Sequence, residues 1–162
     1  MRQSTVILSL LPLVLLSSCA SKYQAPTSGP VANVTYVADI GVSSAFVFIL
    51  GEDCRSTQAV GLIGQSTPPF ILSGNPPVKE KTVVVPAKTP LLTQIKRDPA
   101  TGLVNIYCLI TTEFLPQPGA SYRVLWSHDN QSCRTQVTRL DPTTGGWVRE
   151  ESAKRSDRRC SV

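Results

Sequence analysis

The chain has 162 residues, of which 41% are hydrophobic and 17% charged, and its formal net charge is +5 at pH 7. This length fits one domain of roughly 100 to 200 residues, and the hydrophobic fraction excludes a fully disordered chain. The 13 prolines disfavour long helices, because proline lacks the backbone N–H that continues a helix. The composition therefore favours one folded domain built from strands and turns.

The chain begins with a pattern typical of an export signal. Met1 and Arg2 supply a short positive segment, and the run from Val6 to Leu16 is apolar over eleven residues. A bilayer-spanning helix needs about 20 apolar residues, so this run is too short to cross a membrane. We expect residues 1–18 to be a signal peptide.

The segment Leu16-Ser17-Ser18-Cys19 closes the apolar run. An aliphatic residue, two small residues and a cysteine in this order resemble the lipobox of bacterial lipoproteins. The resemblance implies that Cys19 becomes the first residue of the mature protein, with a diacylglyceryl group on sulfur and an acyl chain such as palmitate on its amine. A cysteine thiolate is the nucleophile suited to forming that thioether. The alternative is an ordinary signal peptide with cleavage further along, for instance at Ala20.

The residue after the cysteine bears on location. In enteric bacteria an aspartate there marks lipoproteins for the inner membrane, and this chain has Ala20 instead. We therefore expect an outer-membrane lipoprotein, held stably by two or more acyl chains, with its domain in the periplasm. Nucleic acid is not an expected partner in that compartment.

The rest of the chain divides into a tether and one domain. Residues 19–30 are mostly polar and contain two prolines, which predicts a flexible tether before a domain over residues 31–162. The run AFVFIL over residues 45–50 is typical of a strand buried on both faces. Further strand candidates lie at 31–40, 58–63, 82–85, 91–96, 103–113, 122–127 and 133–141. Strands this short predict an all-β fold, either a single antiparallel β-sandwich of the immunoglobulin or transthyretin type or a small barrel.

Two predicted turns share the pattern D-P-x-T-G, at residues 98–102 and 141–145. In such a turn the aspartate accepts backbone hydrogen bonds, proline presets φ, and glycine adopts the left-handed conformation. We interpret both aspartates as structural rather than as metal ligands.

The stretch from Phe114 to Val124, FLPQPGASYRV, forms another hairpin signal. It is similar to the F-x-P-x-x-G-x-x-Y-x-V hairpin of small periplasmic β-sandwich lipoproteins. The resemblance implies that Phe114 and Tyr122 pack near each other on the core side. It indicates a fold family rather than an activity.

Four cysteines remain besides Cys19: Cys54, Cys108, Cys133 and Cys160. An even number in an exported chain predicts two disulfides. If strands 103–113, 122–127 and 133–141 form one meander, Cys108 and Cys133 lie two strand spacings apart, about 9.6 Å. That exceeds the Cα separation of about 7 Å that a disulfide tolerates. We therefore prefer the pairs Cys54–Cys108 and Cys133–Cys160, the second of which would attach the C-terminal tail to the domain.

The C-terminal tail is rich in basic residues: Arg149, Lys154, Arg155, Arg158 and Arg159. Clustered cations would concentrate anions such as lipid headgroups or phosphate. The acids Glu150, Glu151 and Asp157 are interleaved with them, however, and favour a solvated tail.

Nothing in the sequence forms a recognisable catalytic or metal-binding pattern. The single histidine, His128, lies in a turn-like segment beside Asp129, where we expect it to be solvated. No C-x-x-C pair favours zinc, and no glycine-rich phosphate loop occurs. We expect no enzyme activity, no cofactor and no bound metal.

A candidate partner loop lies between two proline pairs in the segment 65–78. Exposed together, Phe70, Ile71 and Leu72 would form a hydrophobic knob for a protein partner. The alternative is a short edge strand that the prolines protect from further pairing. Trp126 and Trp147 lie in strand patterns, so we expect both in the core.

These patterns favour a lipid-anchored outer-membrane lipoprotein with a non-catalytic accessory, scaffold or protein-interaction role. In outline such a protein resembles small lipoproteins of the type VI secretion machine, which are anchored β-sandwiches that hold a membrane partner. The alternative is a periplasmic inhibitor or small-ligand binder, as some lipid-anchored lysozyme inhibitors are. A hydrolase is the third alternative, and it would require His128 or a pair of acids inside a concave pocket. The comparison with the secretion machine is a fold-level analogy.

Overall fold

The computed structural model describes residues 20–39, 45–52, 54, 56–64, 80–97, 108–128, 132–158 and 160. Its regular structure there consists of eleven strands: β1 (Ser21–Lys22), β2 (Val31–Ala38), β3 (Ala45–Leu50), β4 (Thr57–Ile63), β5 (Glu80–Pro86), β6 (Leu91–Arg97), β7 (Cys108–Phe114), β8 (Ser121–His128), β9 (Cys133–Leu140), β10 (Trp147–Arg149) and β11 (Lys154–Ser156). The predicted signal peptide, Cys19, the predicted turn at 98–102 and the candidate partner loop with Phe70, Ile71 and Leu72 lie outside the described residues.

The strands form two sheets that share one core. The first sheet has the order β1-β4-β3-β6-β7-β11, and the second has the order β10-β9-β8-β2-β5. The predicted all-β sandwich is confirmed, and the sheets do not close into the barrel that was its alternative. Most strand pairs are antiparallel, but both sheets are mixed, because β1 pairs parallel with β4 and β2 pairs parallel with β8. The long chain between β2 and β8 permits the crossover that parallel neighbours require.

Alternation along the strands builds the core. In β2 the alternate residues Ala32, Val34, Tyr36 and Ala38 are buried. The ring centroids of Phe114 and Tyr122 lie 5.2 Å apart, and both side chains are buried, as the hairpin resemblance implied. The apolar run of β3 departs from its prediction, since Phe46 is 45% exposed on the outer face of the first sheet.

The two tryptophans occupy opposite environments. Trp126 is fully buried, as expected, at an inward position of β8. Trp147 is 40% exposed, so its predicted core position is wrong. β10 lies at the edge of the second sheet, where the Arg123 guanidinium lies 4.6 Å above the Trp147 ring centroid. That stacked pair covers an outer face instead of filling the core.

The turn at 141–145 has the predicted structure. Asp141 Oδ1 accepts from Thr143 N–H at 2.8 Å, and Oδ2 accepts from the Thr144 hydroxyl at 2.9 Å. Gly145 has a φ of +68°, the left-handed conformation that the pattern requires. The turn joins β9 to β10 and ends the strand at Leu140.

The basic tail is part of the fold. β11 pairs antiparallel with β7, with Lys154 opposite Glu113 and Ser156 opposite Thr111. The chain then reaches Cys160, which is buried against Leu50 and Leu92. The expectation of a merely solvated tail is therefore wrong for its strand and its last cysteine.

The cysteines pair differently from our preference. The structure joins Cys54 to Cys160, with Cα atoms 5.2 Å apart, and Cys108 to Cys133, with Cα atoms 6.2 Å apart. The meander argument failed because β7 belongs to the first sheet and β8 and β9 to the second. Cys108 and Cys133 consequently face each other between the sheets. The tail is attached to the domain as expected, but through Cys54.

Candidate functional site

The sandwich has two lateral sides, where edge strands of the two sheets lie next to each other, and these sides differ. The N-terminal segment closes one of them. β1 pairs with β4 at the edge of the first sheet, and Tyr23 N–H donates to the Ala59 carbonyl at 2.9 Å. The Tyr23 hydroxyl donates to the Val84 carbonyl of β5, in the second sheet, at 2.7 Å. Burial raises the pKa of the Tyr23 phenol. Residues 21–23 thus bridge the edges of both sheets, and the prediction of a flexible tether is wrong for them.

A groove of about 390 Å³ lies beside the N-terminal segment. Its lining includes Pro26, Ile49, Pro86 and Pro90, and Glu52 is the one charged side chain that the described residues contribute to it.

The opposite side of the sandwich is open. There a cleft of about 400 Å³ lies between β7 and β11 of the first sheet and β9 of the second. The cleft exists because β10 is short and pairs with β9 only from Thr138 to Leu140. We call this space the interlayer cleft.

The base of the interlayer cleft is held by contacts between the sheets. The hydroxyl oxygens of Thr112 and Thr135 lie 2.6 Å apart and share a hydrogen bond. Cys133, half of the disulfide to Cys108, lines the same space, as do the apolar side chains of Ile110 and Val137. A covalent bond and a hydrogen bond thus fix the spacing of the two walls.

The rim of the interlayer cleft is basic. Four exposed cationic side chains line it: Arg134, Arg149, Lys154 and Arg155. Lys154 Nζ lies 3.3 Å from Glu113 Oε1, whereas no acidic side chain of the described residues pairs with Arg149 or Arg155. The strands β9, β10 and β11 bring these cations together, although Arg134 is distant from the others in sequence.

Glu150 is the single acidic residue among the described residues that line the interlayer cleft, and its oxygens are already engaged. Oε1 accepts from Ser152 N–H at 3.0 Å and from the Ser152 hydroxyl at 2.7 Å. Oε2 lies 3.9 Å from Arg139 Nε. Arg149 and Arg155 thus contribute two positive charges that no acidic side chain of the described residues neutralises. Such a surface attracts anionic groups.

One wall of the interlayer cleft has an open strand edge. Glu150 N–H donates to the Val137 carbonyl at 3.0 Å, so the N–H and C=O groups of Val137 point away from β8. Backbone direction alternates along a strand, and Thr135 is therefore the next residue whose N–H and C=O face outward. No described strand pairs with β9 on that side before Val137. Such an edge can accept another strand.

His128 lies in a different environment from the one expected. It is the last residue of β8 and partly buried, and its Nε2 accepts a hydrogen bond from Arg97 Nη1 at 2.9 Å. The ring stands edge-on to Trp126 at 5.8 Å. The prediction of a solvated histidine is wrong, and the observed contacts give it a structural role between the sheets.

Two acidic residues make contacts with basic side chains. The carboxylate of Glu113 pairs with Lys154, and the backbone carbonyl of Glu52 accepts from Arg158 Nη1 at 2.7 Å. Within the described part of the chain, no group of three or more His, Cys, Asp or Glu side chains is placed to hold a metal ion. Over the same residues, no helix is long and apolar enough to cross a membrane.

Sequence reasoning missed the interlayer cleft. The abundance of basic residues in the C-terminal tail indicated Arg149, Lys154 and Arg155 as a possible anion site. Arg134 lies outside the tail and was not predicted to join them. The available sequence signal was the pair of long polar side chains at alternate positions of β9, Arg134 and Gln136, which the structure shows to be exposed. No protein-family model and no curated protein sequence matches the chain.

Proposed function

We propose that this protein is a lipid-anchored outer-membrane lipoprotein whose β-sandwich acts in the periplasm as a non-catalytic accessory that binds another envelope protein. The lipobox at Cys19 and the alanine that follows it support the anchor and its location. The open, basic side of the sandwich supports the binding role.

The observation that carries the proposal is the attachment of the N-terminal segment to the sandwich. Ser21 pairs with Gln58 of β4, and Ser21 is two residues from Cys19 in the sequence. Two residues of extended chain span at most about 7 Å. A lipid on Cys19 would therefore hold the domain directly at the membrane surface.

This geometry also gives the two sides of the sandwich different roles. The N-terminal segment bridges β4 and β5, whereas the interlayer cleft lies at the opposite edges, between β11 and β9. In this proposal the anchor and the binding surface lie on opposite sides of the sandwich. A partner could occupy the cleft without displacing the membrane attachment.

Acylation tests the anchor. The full chain expressed in an enteric bacterium should incorporate radiolabelled palmitate and sediment with the outer membrane, whereas Cys19→Ser should incorporate none. Ala20→Asp, which keeps the cysteine, should be labelled equally but sediment with the inner membrane. Unlabelled wild-type protein, or labelled Cys19→Ser, would contradict the anchor.

Cross-linking in intact cells tests the binding role. In its native host the wild-type protein should form a discrete cross-linked species with another envelope protein, identified by mass spectrometry. Cys19→Ser provides the matched control, since it keeps the folded domain but should lose the membrane-dependent product. A wild-type protein that is fully acylated yet gives no cross-linked species would contradict the accessory role while leaving the anchor intact.

A further inference from the structure

We propose that the interlayer cleft binds an extended acidic segment of a partner protein, which adds as a strand to the open edge of β9. This inference rests on the protein-binding role proposed above and names the chemistry of the partner. It follows from the backbone geometry of β9, the charge around it and the rigidity of its walls.

The backbone edge supplies the first requirement for strand addition. Thr135 faces its N–H and C=O outward, and β10 leaves this part of the edge uncovered. By the same alternation Cys133 also faces outward. These two residues offer a donor and an acceptor each, at the spacing that an extended peptide matches. The edge therefore favours a polypeptide over a ligand without regularly spaced amides.

The charge of the rim identifies the class of peptide. Arg149 on β10 and Arg155 on β11 lie at the cleft, exposed and without an acidic partner among the described residues. Carboxylates bind guanidinium groups with two parallel hydrogen bonds, so glutamate or aspartate side chains on the added strand would meet complementary donors.

The walls of the cleft are fixed before any partner arrives. The Cys108–Cys133 disulfide joins β7 to β9, and the Thr112–Thr135 hydrogen bond joins the same strands two residues further along β9. A preformed edge loses little conformational entropy on binding. Ile110 and Val137 line the cleft as well and can accept a small apolar side chain between two acidic ones.

Peptide titration of the full chain in detergent micelles tests the inference. The probe is the acetylated and amidated heptapeptide TEVEVET, titrated by calorimetry at low salt. We expect binding that Arg149→Gln/Arg155→Gln weakens about tenfold or more, while Lys22→Gln, an exposed cation on the other side, changes it by less than about twofold. The Thr135 amide should become protected from hydrogen exchange when the peptide is bound.

Three comparison probes separate the alternatives. The same peptide N-methylated at every backbone amide keeps its charge but has no N–H left to pair as a strand on either edge, so we expect about a tenfold loss or more. TKVKVKT should not bind. Inorganic polyphosphate tests a non-peptide anion: binding as tight as the peptide's, with the Thr135 amide unprotected, would overturn the inference.

Other outcomes also decide the matter. Failure of TEVEVET to bind at about 1 mM, or equal binding of its N-methylated form, would overturn strand addition. Circular dichroism of the variants confirms that lost binding reflects the cleft rather than unfolding. If Arg149→Gln/Arg155→Gln still forms the cross-linked species in cells, the partner binds elsewhere. That result refutes this inference but leaves the accessory role standing.

Discussion

Arg97 Nη1 donates a hydrogen bond to His128 Nε2 across 2.9 Å, and this bond joins the two sheets. Arg97 lies opposite Cys108 in the first sheet, and His128 lies opposite Cys133 in the second. Since Cys108 and Cys133 form a disulfide, the sheets are joined twice at one level. The hydrogen bond runs in this direction because a guanidinium group can only donate.

The Arg97–His128 bond should contribute measurably to stability. Arg97→Met and His128→Leu each keep apolar bulk but remove one partner, and we expect each to lower the free energy of unfolding by about 1 to 3 kcal/mol. The double variant should show a coupling of about 1 kcal/mol in urea denaturation. Arg155→Met, at an exposed position, is the control and should change stability by less than about 0.5 kcal/mol. A coupling energy near zero would show that the bond does not contribute.

The hydroxyl of Tyr122 should matter as well as its ring. Gln117 N–H donates to Tyr122 Oη at 2.8 Å, which ties the 116–119 turn to β8. Tyr122→Phe keeps the packing against Phe114 but leaves that N–H without its partner, and we expect a loss of about 1 to 2 kcal/mol. Thr35→Val removes an exposed side-chain hydrogen bond to Thr82 and should cost less than about 0.5 kcal/mol. Equal stability of Tyr122→Phe and wild type would refute the role of the hydroxyl.

The Asp141 turn should make stability depend on pH in the acid range. Hydrogen bonds from the Thr143 backbone N–H and the Thr144 hydroxyl hold the pKa of Asp141 below its ordinary value. Because the folded-state pKa is the lower one, this stabilisation is complete above the unfolded pKa of about 3.9 and is lost as the pH falls through the folded pKa.

Asp141→Asn should therefore lower the urea midpoint at pH 7, and the difference from wild type should shrink below about pH 3. Asp157→Asn, at an exposed position in the tail, serves as the control and should leave the midpoint unchanged. A deficit for Asp141→Asn that is independent of pH would argue against the carboxylate as its cause.

A tryptic map without reduction should report the disulfide pairs. Peptide 23–55 should be linked to 160–162, and 98–123 to 124–134. Reduction should separate both pairs. The two bonds close loops with sequence separations of 106 and 25, which in the chain-entropy account stabilises the fold by about 4 to 5 and about 3 to 4 kcal/mol. A species that links 23–55 to 98–123 would contradict the fold described here.

Local patterns predicted the local structure well. The alternation in β2, the aspartate and glycine of the 141–145 turn, and the contact of Phe114 with Tyr122 each depend on neighbours within about ten residues. These features could be predicted because sterics and short-range hydrogen bonds determine them.

Long-range relationships could not be predicted in the same way. The segment from Leu115 to Ala120 has the composition of a hairpin turn, yet it carries the chain from β7 in one sheet to β8 in the other. A turn within a sheet and a turn between sheets have the same composition. The predicted cysteine pairing was wrong because it assumed a turn within one sheet. The interlayer cleft likewise depends on how far β10 extends along β9, which no sequence pattern records.

The Cys54–Cys160 bond has a consequence for resistance to proteolysis. It encloses almost the whole sandwich, including the second disulfide, in one covalent ring. A single peptide-bond cut anywhere between these two cysteines opens the ring without releasing a fragment. The disulfide keeps both products joined, so a clipped molecule would remain assembled.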